Sequence, residues 1–332
     1  MSNEHFSAYL VEDTADGVRG SLQRLPSERL PAGDVLIRVQ WSSLNYKDAL
    51  AATGHPGVVR QLPHVPGIDA AGIVESSSSS DYQAGDRVLV TGYELGQSHW
   101  GAWAEYVRVP SSWIVPQPPG LTAREAMILG TAGFTAAQCV MAIQRNEVGP
   151  ELGEVVVTGA TGGVGSLSVR LLAKLGYRVV AVTGKKDWHE QLRRWGAARV
   201  MDRSEVCDTS ERPMLRGQWA GGVDTVGGVT LATLLRSTRY GGCIAACGLV
   251  GGAELQMSVY PFLLRGVTLA GVASADCPYP RRLEIWNRLA GEWRLSELDS
   301  QVTEVPLDDV DREVRRILNG EQVGRVIVRI GA

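Results

Sequence analysis

The order of apolar and polar positions divides the chain into two parts. In the first part, short apolar runs alternate with turn residues, as at Pro63–Gly67 and Ala84–Asp86. The runs predict strands over Asp34–Trp41, Ala70–Glu75, Arg87–Thr91 and Ala104–Val109. Short strands at this spacing are typical of a small, barrel-like all-β domain.

From Thr122 onward, strand and helix periods alternate along the chain. The predicted strands are Glu154–Thr158, Arg178–Thr183, Ala198–Met201, Gly222–Thr225, Cys243–Cys247 and Thr268–Val272. The predicted helices are Ala123–Leu129, Ala132–Gln144, Gly165–Leu175, His189–Trp195 and Arg281–Ala290. The alternation indicates βαβ units and an α/β fold with a doubly wound parallel sheet. A helix over Asp308–Leu318 and a strand over Arg325–Ile330 follow, and the pattern alone does not place them.

Composition narrows the possible classes of protein. Gly accounts for 39 of 332 residues, which indicates many tight turns or backbone close to a ligand. The net charge of −3 is unlike that of a nucleic-acid-binding domain, so we expect no nucleic-acid partner. No apolar run approaches the length of a membrane span, and residues 1–5 do not resemble a signal peptide, so we expect no membrane partner. The five Cys residues form no C-x-x-C pair, which favours free thiols in a reducing cytoplasm.

The clearest chemical signal is a glycine-rich turn between a predicted strand and a predicted helix. The segment Val155–Gly165 reads VVVTGATGGVG, with glycines at G-x-x-G-x-x-G spacing. Such a turn lets backbone N–H groups meet a pyrophosphate at a helix N-terminus. Because strand, turn, helix and second strand occur in the required order, we predict dinucleotide binding rather than a plain connector.

The end of the second strand indicates which dinucleotide binds. Sites for NAD usually carry Asp or Glu there, whereas this chain has Thr183-Gly184-Lys185-Lys186. A small hydroxyl and two cations suit a 2′-phosphate, and Arg203 after the next strand could reach the same group. We therefore predict NADP(H) as the cofactor. The alternative for these cations is an ordinary solvated helix start.

We predict no metal site. His55, His64 and His99 are isolated in predicted loops, and Cys243 and Cys247 lie in an apparent buried strand. The chain also lacks the G-x-S-x-G motif of hydrolases. These observations leave hydride transfer from a nicotinamide without a metal.

Such a reaction needs a polarising group and a proton donor. The segment Trp41–Asp48 places polar side chains directly after a predicted strand. Tyr46 is the candidate acid or orienting group, or a cofactor contact, and Asn45 is a candidate for orienting a carbonyl. The alternative is a capping turn in which Lys47 and Asp48 only pair on the surface.

Several segments together resemble the medium-chain dehydrogenase/reductase superfamily. They are Ser42–Asp48, Pro66–Asp69, Gly85–Val88, Ala126–Thr135, Val157–Gly165, Tyr240–Cys243, Ala245–Leu249 and Pro261–Gly266. The chain is similar to the zinc-free quinone-oxidoreductase branch and, within it, to bacterial NADPH-dependent acryloyl-CoA reductases. Zinc-dependent members carry Cys near Asn45 and Gly-His-Glu where this chain has Gly67-Ile68-Asp69, so the resemblance also implies a zinc-independent site.

The resemblance implies a domain plan and an assembly. A GroES-like catalytic β-barrel domain would span residues 1–122, and an NADP-binding Rossmann domain would span residues 123–295, with a cleft between the two. Residues 296–332 would return to the catalytic domain. A homodimer would form by pairing of the last Rossmann strand, near Val267–Ala273.

The resemblance also implies cofactor contacts at particular positions of this sequence. They are Tyr46, Thr161, Gly162, Gly163, Val164, Thr183, Gly184, Lys185, Arg203, Leu249, Leu263, Ser274 and Gly320. Gly320 is where this chain departs in detail from relatives with two Asn residues.

The implied reaction is hydride transfer to the β-carbon of acryloyl-CoA, which gives propionyl-CoA. The CoA phosphates would need cations, and Lys47, Arg60 and Arg325 are candidates, although each has an alternative as a surface or structural residue. The alternative reaction is NADPH-dependent reduction of a quinone or another enone. A different class of function is a non-catalytic NADPH-binding protein.

Overall fold

The computed structural model describes residues 4–300 and 302–331 of the chain. They form two units. The first unit comprises the described residues of 1–131, 275–291 and 296–332, and the second comprises residues 132–274 and 292–295. Residues 123–131 and 275–291, which the resemblance implies to be in the Rossmann domain, are grouped with the first unit.

The described residues contain fifteen strands and eight α-helices, with short 3-10 turns between them. The strands are β1 His5–Thr14, β2 Gly17–Pro26, β3 Val35–Leu44, β4 Asp69–Ser77, β5 Arg87–Thr91, β6 Tyr106–Val109, β7 Ile114–Pro116, β8 Glu154–Val157, β9 Arg178–Thr183, β10 Ala197–Asp202, β11 Trp219–Asp224, β12 Thr238–Ala246, β13 Thr268–Gly271, β14 Val302–Pro306 and β15 Arg325–Arg329. The helices are α1 Tyr46–Ala52, α2 Ala123–Arg145, α3 Gly163–Lys174, α4 His189–Arg194, α5 Gly228–Arg236, α6 Tyr260–Arg265, α7 Tyr279–Ala290 and α8 Val310–Leu318.

The first unit is built on a largely antiparallel sheet. Its strand order is β14-β15-β3-β4-β5-β7, β6 also pairs with β3, and β1 and β2 form a separate hairpin. In β3, Val35, Ile37 and Val39 are buried while Arg38 between them is exposed, as expected for a strand with one face on the core. Because β15 pairs with β3, the C-terminal tail is part of this sheet.

The second unit is a doubly wound parallel sheet, which confirms the predicted fold class. Its strand order is β10-β9-β8-β11-β12-β13, and all five pairings are parallel. After β10 the chain crosses back to place β11 beside β8. This reversal of strand order creates a switch point at the carboxyl ends of β8 and β11, where ligands of such sheets bind.

Helix α2 joins the two helices that were predicted over Ala123–Leu129 and Ala132–Gln144. They meet at Gly130, which has the non-helical φ of 49°. By length and composition α2 could cross a membrane, since one window of 18 residues has a mean hydropathy of 1.6. The expectation that no segment reaches this length is therefore wrong. However, 83% of that window is buried within the fold, as in the core helix of a globular protein.

Candidate functional site

The residues predicted to act in catalysis lie where β3 leads into α1. Asn45 immediately precedes α1, and its Nδ2 lies 2.9 Å from Asp69 Oδ2, 3.0 Å from Asp48 Oδ2 and 3.1 Å from Ser43 Oγ. Its Oδ1 accepts a hydrogen bond from Nη1 of Arg325 at 3.2 Å. Both ends of the Asn45 amide are therefore held by the protein.

Asp69 is the centre of this polar cluster, which we define as Ser43, Asn45, Asp48, Asp69, Thr131 and Arg325. Asp69 is fully buried at the start of β4. Ser43 Oγ donates to its Oδ2 at 2.6 Å, the Thr131 N–H donates to Oδ2 at 2.9 Å, and the Thr131 hydroxyl donates to Oδ1 at 2.6 Å. A Cβ on Gly130 would lie 2.6 Å from Asp69 Oδ2, so only glycine permits this close approach.

Arg325 is the cation of the polar cluster, and only 4% of it is exposed. Its Nε donates to the Ile128 carbonyl at 2.8 Å. Burial lowers the pKa of Arg325, while the nearby Asp69 and Asp48 raise it, and a guanidinium stays charged in either case. The expectation that Arg325 contributes to a cationic strip for CoA is therefore wrong, because its side chain is enclosed by the first unit.

Asn45 and Asp48 form a capping box at the start of α1, so the alternative of a capping turn is confirmed. Asp48 is fully buried, however, so a surface pair with Lys47 is wrong. Its Oδ2 accepts the Asn45 N–H at 2.7 Å, and its Oδ1 accepts the Ile68 N–H at 2.8 Å. Burial, followed by the negative charge of Asp69, raises the pKa of Asp48 to about 7, against the lowering effect of these donors. The polar cluster therefore holds a group that can gain or lose a proton near neutral pH.

The other predicted residues of this region are more accessible. Tyr46 is the first residue of α1 and is 44% exposed. Lys47 is half-buried and Arg60 is exposed. Tyr46 is thus available to a ligand, whereas Asn45 must exchange one of its present partners before its amide N–H can donate to a substrate.

The glycine turn, Thr158–Gly165, lies at the switch point of the second unit. Gly159 has a φ of +56°, and a Cβ there would lie 2.3 Å from Thr225 Oγ1. A Cβ on Gly165 would lie 2.2 Å from the Gly159 carbonyl oxygen. Both positions therefore require glycine. Because α3 begins at Gly163, the N–H groups at the start of this helix can bind an anion.

The predicted contacts to the pyrophosphate and 2′-phosphate lie close to one another within this unit. Thr161, Gly162, Gly163 and Val164 occupy the turn and the start of α3. The hydroxyl oxygens of Thr161 and Thr183 are 3.2 Å apart, and the Lys185 N–H donates to Thr183 Oγ1 at 3.1 Å. A Cβ on Gly184 would lie 3.0 Å from Cδ and Nε of Arg203, so Arg203 lies beside the end of β9.

The remaining predicted contacts are in separate segments. Leu249, in the loop after β12, is 66% exposed, and Leu263, in α6, is 73% exposed. Ser274 follows β13 and is half-buried. Gly320 is in the first unit, just after α8, with a φ of +71°.

Sequence reasoning did not identify the role of Asp69 or of Thr131. Each residue nevertheless has a signal in the sequence. Asp69 is an acidic residue at the start of an otherwise apolar strand, and Gly130-Thr131 interrupts an apolar helix. Within residues 4–300 and 302–331, no three His, Cys, Asp or Glu side chains lie together in a way that could hold a metal ion.

Comparison with known families matches both parts of the chain. The model of the alcohol dehydrogenase GroES-like domain matches residues 31–119, and that of the zinc-binding dehydrogenases matches residues 163–288. The probable acrylyl-CoA reductase AcuI of Escherichia coli is 48% identical over 97% of this chain and 99% of its own length. Acrylyl-CoA reductase AcuI of Ruegeria pomeroyi is 44% identical over 98% of this chain and its whole length.

Solved structures agree with these matches. The YhdH oxidoreductase of Salmonella enterica in complex with NADP has a TM-score of 0.95 and 47% identity, covering 98% of this chain and 100% of that one. The Bacillus subtilis protein YhfP with NAD bound has a TM-score of 0.95 and 44% identity, covering 99% and 100%. YhfP is described as a putative quinone oxidoreductase.

A doubly wound nucleotide-binding sheet, a glycine turn at its switch point and a GroES-like β-domain define the class as dinucleotide-dependent oxidoreductases. The chain belongs to the medium-chain dehydrogenase/reductase superfamily, in the quinone-oxidoreductase-like group that contains the acrylyl-CoA reductases.

The raised pKa of Asp48 predicts a pH dependence of stability. Since its pKa of about 7 in the folded protein exceeds that of an unfolded Asp, near 3.9, the folded state holds an extra proton between these values. The stabilising contribution is therefore complete in acid and is lost as the pH rises through about 7. We expect the urea unfolding free energy of the wild type to fall by up to about 1.4 kcal/mol per pH unit over this window.

Asp48→Asn should remove this fall of the unfolding free energy with rising pH. Asp34→Asn is the matched control, because hydrogen bonds from Ser111 lower the pKa of Asp34, which is the direction opposite to that of Asp48. If the unfolding free energy of Asp48→Asn falls with pH as steeply as that of the wild type, Asp48 is not the cause of this pH dependence.

Proposed function

We propose that this protein catalyses the NADPH-dependent reduction of acryloyl-CoA to propionyl-CoA. The observation that carries the proposal is the near-complete match, at 48% and 44% identity, to two acrylyl-CoA reductases. The glycine turn and the Thr183–Lys185 segment support the cofactor, and the NADP complex of the Salmonella relative agrees with it. The reaction joins one hydride and one proton to the C=C bond and releases NADP⁺.

The second unit fits this cofactor. A Cβ on Gly159 or Gly165 has no space, and no side chain caps the first N–H groups of α3, which suits the binding of a pyrophosphate there. Thr161, Gly162, Gly163 and Val164 would hold the pyrophosphate, and Thr183, Gly184, Lys185 and Arg203 would hold the 2′-phosphate. When bound, the nicotinamide supplies the hydride.

Residues of the first unit would supply the polar chemistry. Negative charge develops on the thioester oxygen as the β-carbon is reduced, so donors directed at that oxygen lower the barrier. The hydroxyl of the exposed Tyr46 is the group proposed to donate there, because a phenol O–H is a hydrogen-bond donor. Asn45 would orient the carbonyl, and the buried polar cluster would keep its amide in place.

A second candidate is the reduction of quinones or other enones. The observation that favours it is the 44% identity to YhfP, a putative quinone oxidoreductase whose solved structure holds NAD. The same hydride chemistry serves both substrates. For either substrate we expect this chain to use NADPH rather than NADH. Its Lys185 and Arg203 suit the 2′-phosphate, which NADH lacks.

Cytoplasmic location and a homodimer are also proposed. The free cysteines favour a reducing compartment. The strand β13 is at one edge of its sheet, and the neighbouring Val259, Tyr260 and Leu264 are 49% to 61% exposed. An unpaired edge strand beside apolar side chains is suited to pairing with a second copy.

The direct test of the proposed reaction is NADPH oxidation, followed by the loss of its absorbance. Acryloyl-CoA, crotonyl-CoA and a benzoquinone are compared, each with NADPH and with NADH. We expect turnover with acryloyl-CoA and NADPH. Turnover with the quinone alone would replace the CoA proposal, and NADPH binding without any turnover would indicate the non-catalytic class.

Lys185→Ala tests the cofactor part of the same assay. Loss of one charge-assisted contact to the 2′-phosphate should raise the KM for NADPH about tenfold and leave that for NADH unchanged. Lys174→Ala is the control, since Lys174 is an exposed lysine at the end of α3. An equal effect on both cofactors would rule out a 2′-phosphate contact.

Tyr46→Phe removes only the phenol oxygen of an exposed side chain. If the hydroxyl donates to the thioester oxygen, kcat with acryloyl-CoA should fall about 100-fold, while the dissociation constant of NADPH changes little. Single-turnover kinetics would separate the two effects. An unchanged kcat would remove Tyr46 from the reaction.

Sedimentation equilibrium tests the homodimer, which should have twice the chain mass of 35.7 kDa. Leu264→Arg should produce monomers, because it places a charge in the apolar patch beside β13. Leu152→Arg, at a 49% exposed position elsewhere in the second unit, should not. A monomeric wild type would contradict the proposal.

A further inference from the structure

Asp224 is a fully buried carboxylate at the switch point of the second unit. It ends β11, and it forms no ion pair with any described Lys, Arg or His side chain. Its acceptors are instead used by neutral donors. Thr158 Oγ1 donates to Oδ1 at 2.7 Å, and the Gly227 N–H donates to Oδ2 at 2.7 Å.

Thr158 carries this contact into the glycine turn. Its hydroxyl donates to Asp224 and accepts the Thr225 N–H at 3.0 Å, while its carbonyl accepts the Thr225 hydroxyl at 3.0 Å. The same Thr225 Oγ1 occupies the space where a Cβ of Gly159 would stand. The first residues of the turn are therefore fixed against the segment Asp224–Gly227.

The same segment also contacts the loop that follows β12. The Cys247 N–H donates to the Asp224 carbonyl at 2.9 Å, and the Gly251 N–H donates to the Val226 carbonyl at 2.7 Å. A Cβ on Gly248 would lie 2.2 Å from the Thr225 carbonyl oxygen. Leu249, the predicted nicotinamide contact, lies within this loop.

We infer that Asp224 is a positioning residue for the dinucleotide, which sets the glycine turn through Thr158 and the 247–252 loop through its own main chain. The inference rests on the proposed cofactor, NADPH, and not on the acyl substrate. Asp224 needs no contact with the cofactor for this role, because it fixes the backbone that does the binding. A carboxylate suits the position because it offers acceptors to both a hydroxyl and a main-chain N–H.

The test is the dissociation constant of NADPH, measured by fluorescence titration of the full chain. Asp224→Asn places an amide nitrogen against one of the two donors, and Thr158→Val removes the hydroxyl without changing the side-chain shape. Either loss leaves a buried polar group without a partner, so each should weaken NADPH binding about tenfold. The kcat at saturating NADPH should stay within about twofold of the wild type.

Two variants separate positioning from packing. Thr158→Ser keeps the hydroxyl and should restore the wild-type dissociation constant. Ser168→Ala removes a fully buried hydroxyl on α3 that has no hydrogen-bond partner among the described residues, and it should have no effect.

Wild-type NADPH affinity in either Asp224→Asn or Thr158→Val would overturn the inference, as would Thr158→Ser binding as weakly as Thr158→Val. If Asp224→Asn fails to fold, the comparison of Thr158→Val with Thr158→Ser still tests the inference. Because the experiment measures NADPH binding, its result is valid even if acryloyl-CoA proves not to be the substrate.

Discussion

Burial of the Asp69 carboxylate is the interaction on which the catalytic region of the first unit depends. Burying a charge is costly unless donors surround it or an opposite charge lies near. Here the donors come from β3, from the start of α1 and from α2, and the cation comes from β15. Three segments far apart in sequence, the junction of β3 with α1, the break in α2 and the start of β15, therefore have to meet at one carboxylate. This requirement explains the break in α2 at Gly130 and the return of the C-terminal tail to β3.

The second unit also has a buried carboxylate held by hydrogen-bond donors, at its switch point. Asp224 has neutral donors in place of a cation, and they hold two turns of the backbone together. Because this backbone is already fixed, its N–H groups can bind a phosphate without a large entropic cost. The two buried carboxylates thus have related consequences, since one fixes the Asn45 amide and the other fixes the glycine turn.

Much of this arrangement was accessible from the sequence because its patterns are local. The parallel strands and the glycine turn follow from short apolar runs and fixed glycine spacing, and the observed β9 has the predicted bounds, Arg178–Thr183. Helix α1 was not predicted, because seven residues are too few to show a helical period. The burial of Asp48 and Arg325 was not predicted, since burial of a charge depends on partners that are distant in sequence. From the sequence, a surface pair with Lys47 was the alternative for Asp48, and Arg325 was a candidate for CoA binding with a surface or structural alternative.

Isotopic labelling can show whether the chain reduces the C=C bond by placing a hydride on the β-carbon. NADPH carrying deuterium at both C4 positions would be incubated with the protein and acryloyl-CoA, and the product analysed by mass spectrometry and NMR. We expect propionyl-CoA with one deuterium on the β-carbon and a solvent proton on the α-carbon. Deuterium on the α-carbon, or NADPH consumption without labelled propionyl-CoA, would contradict it.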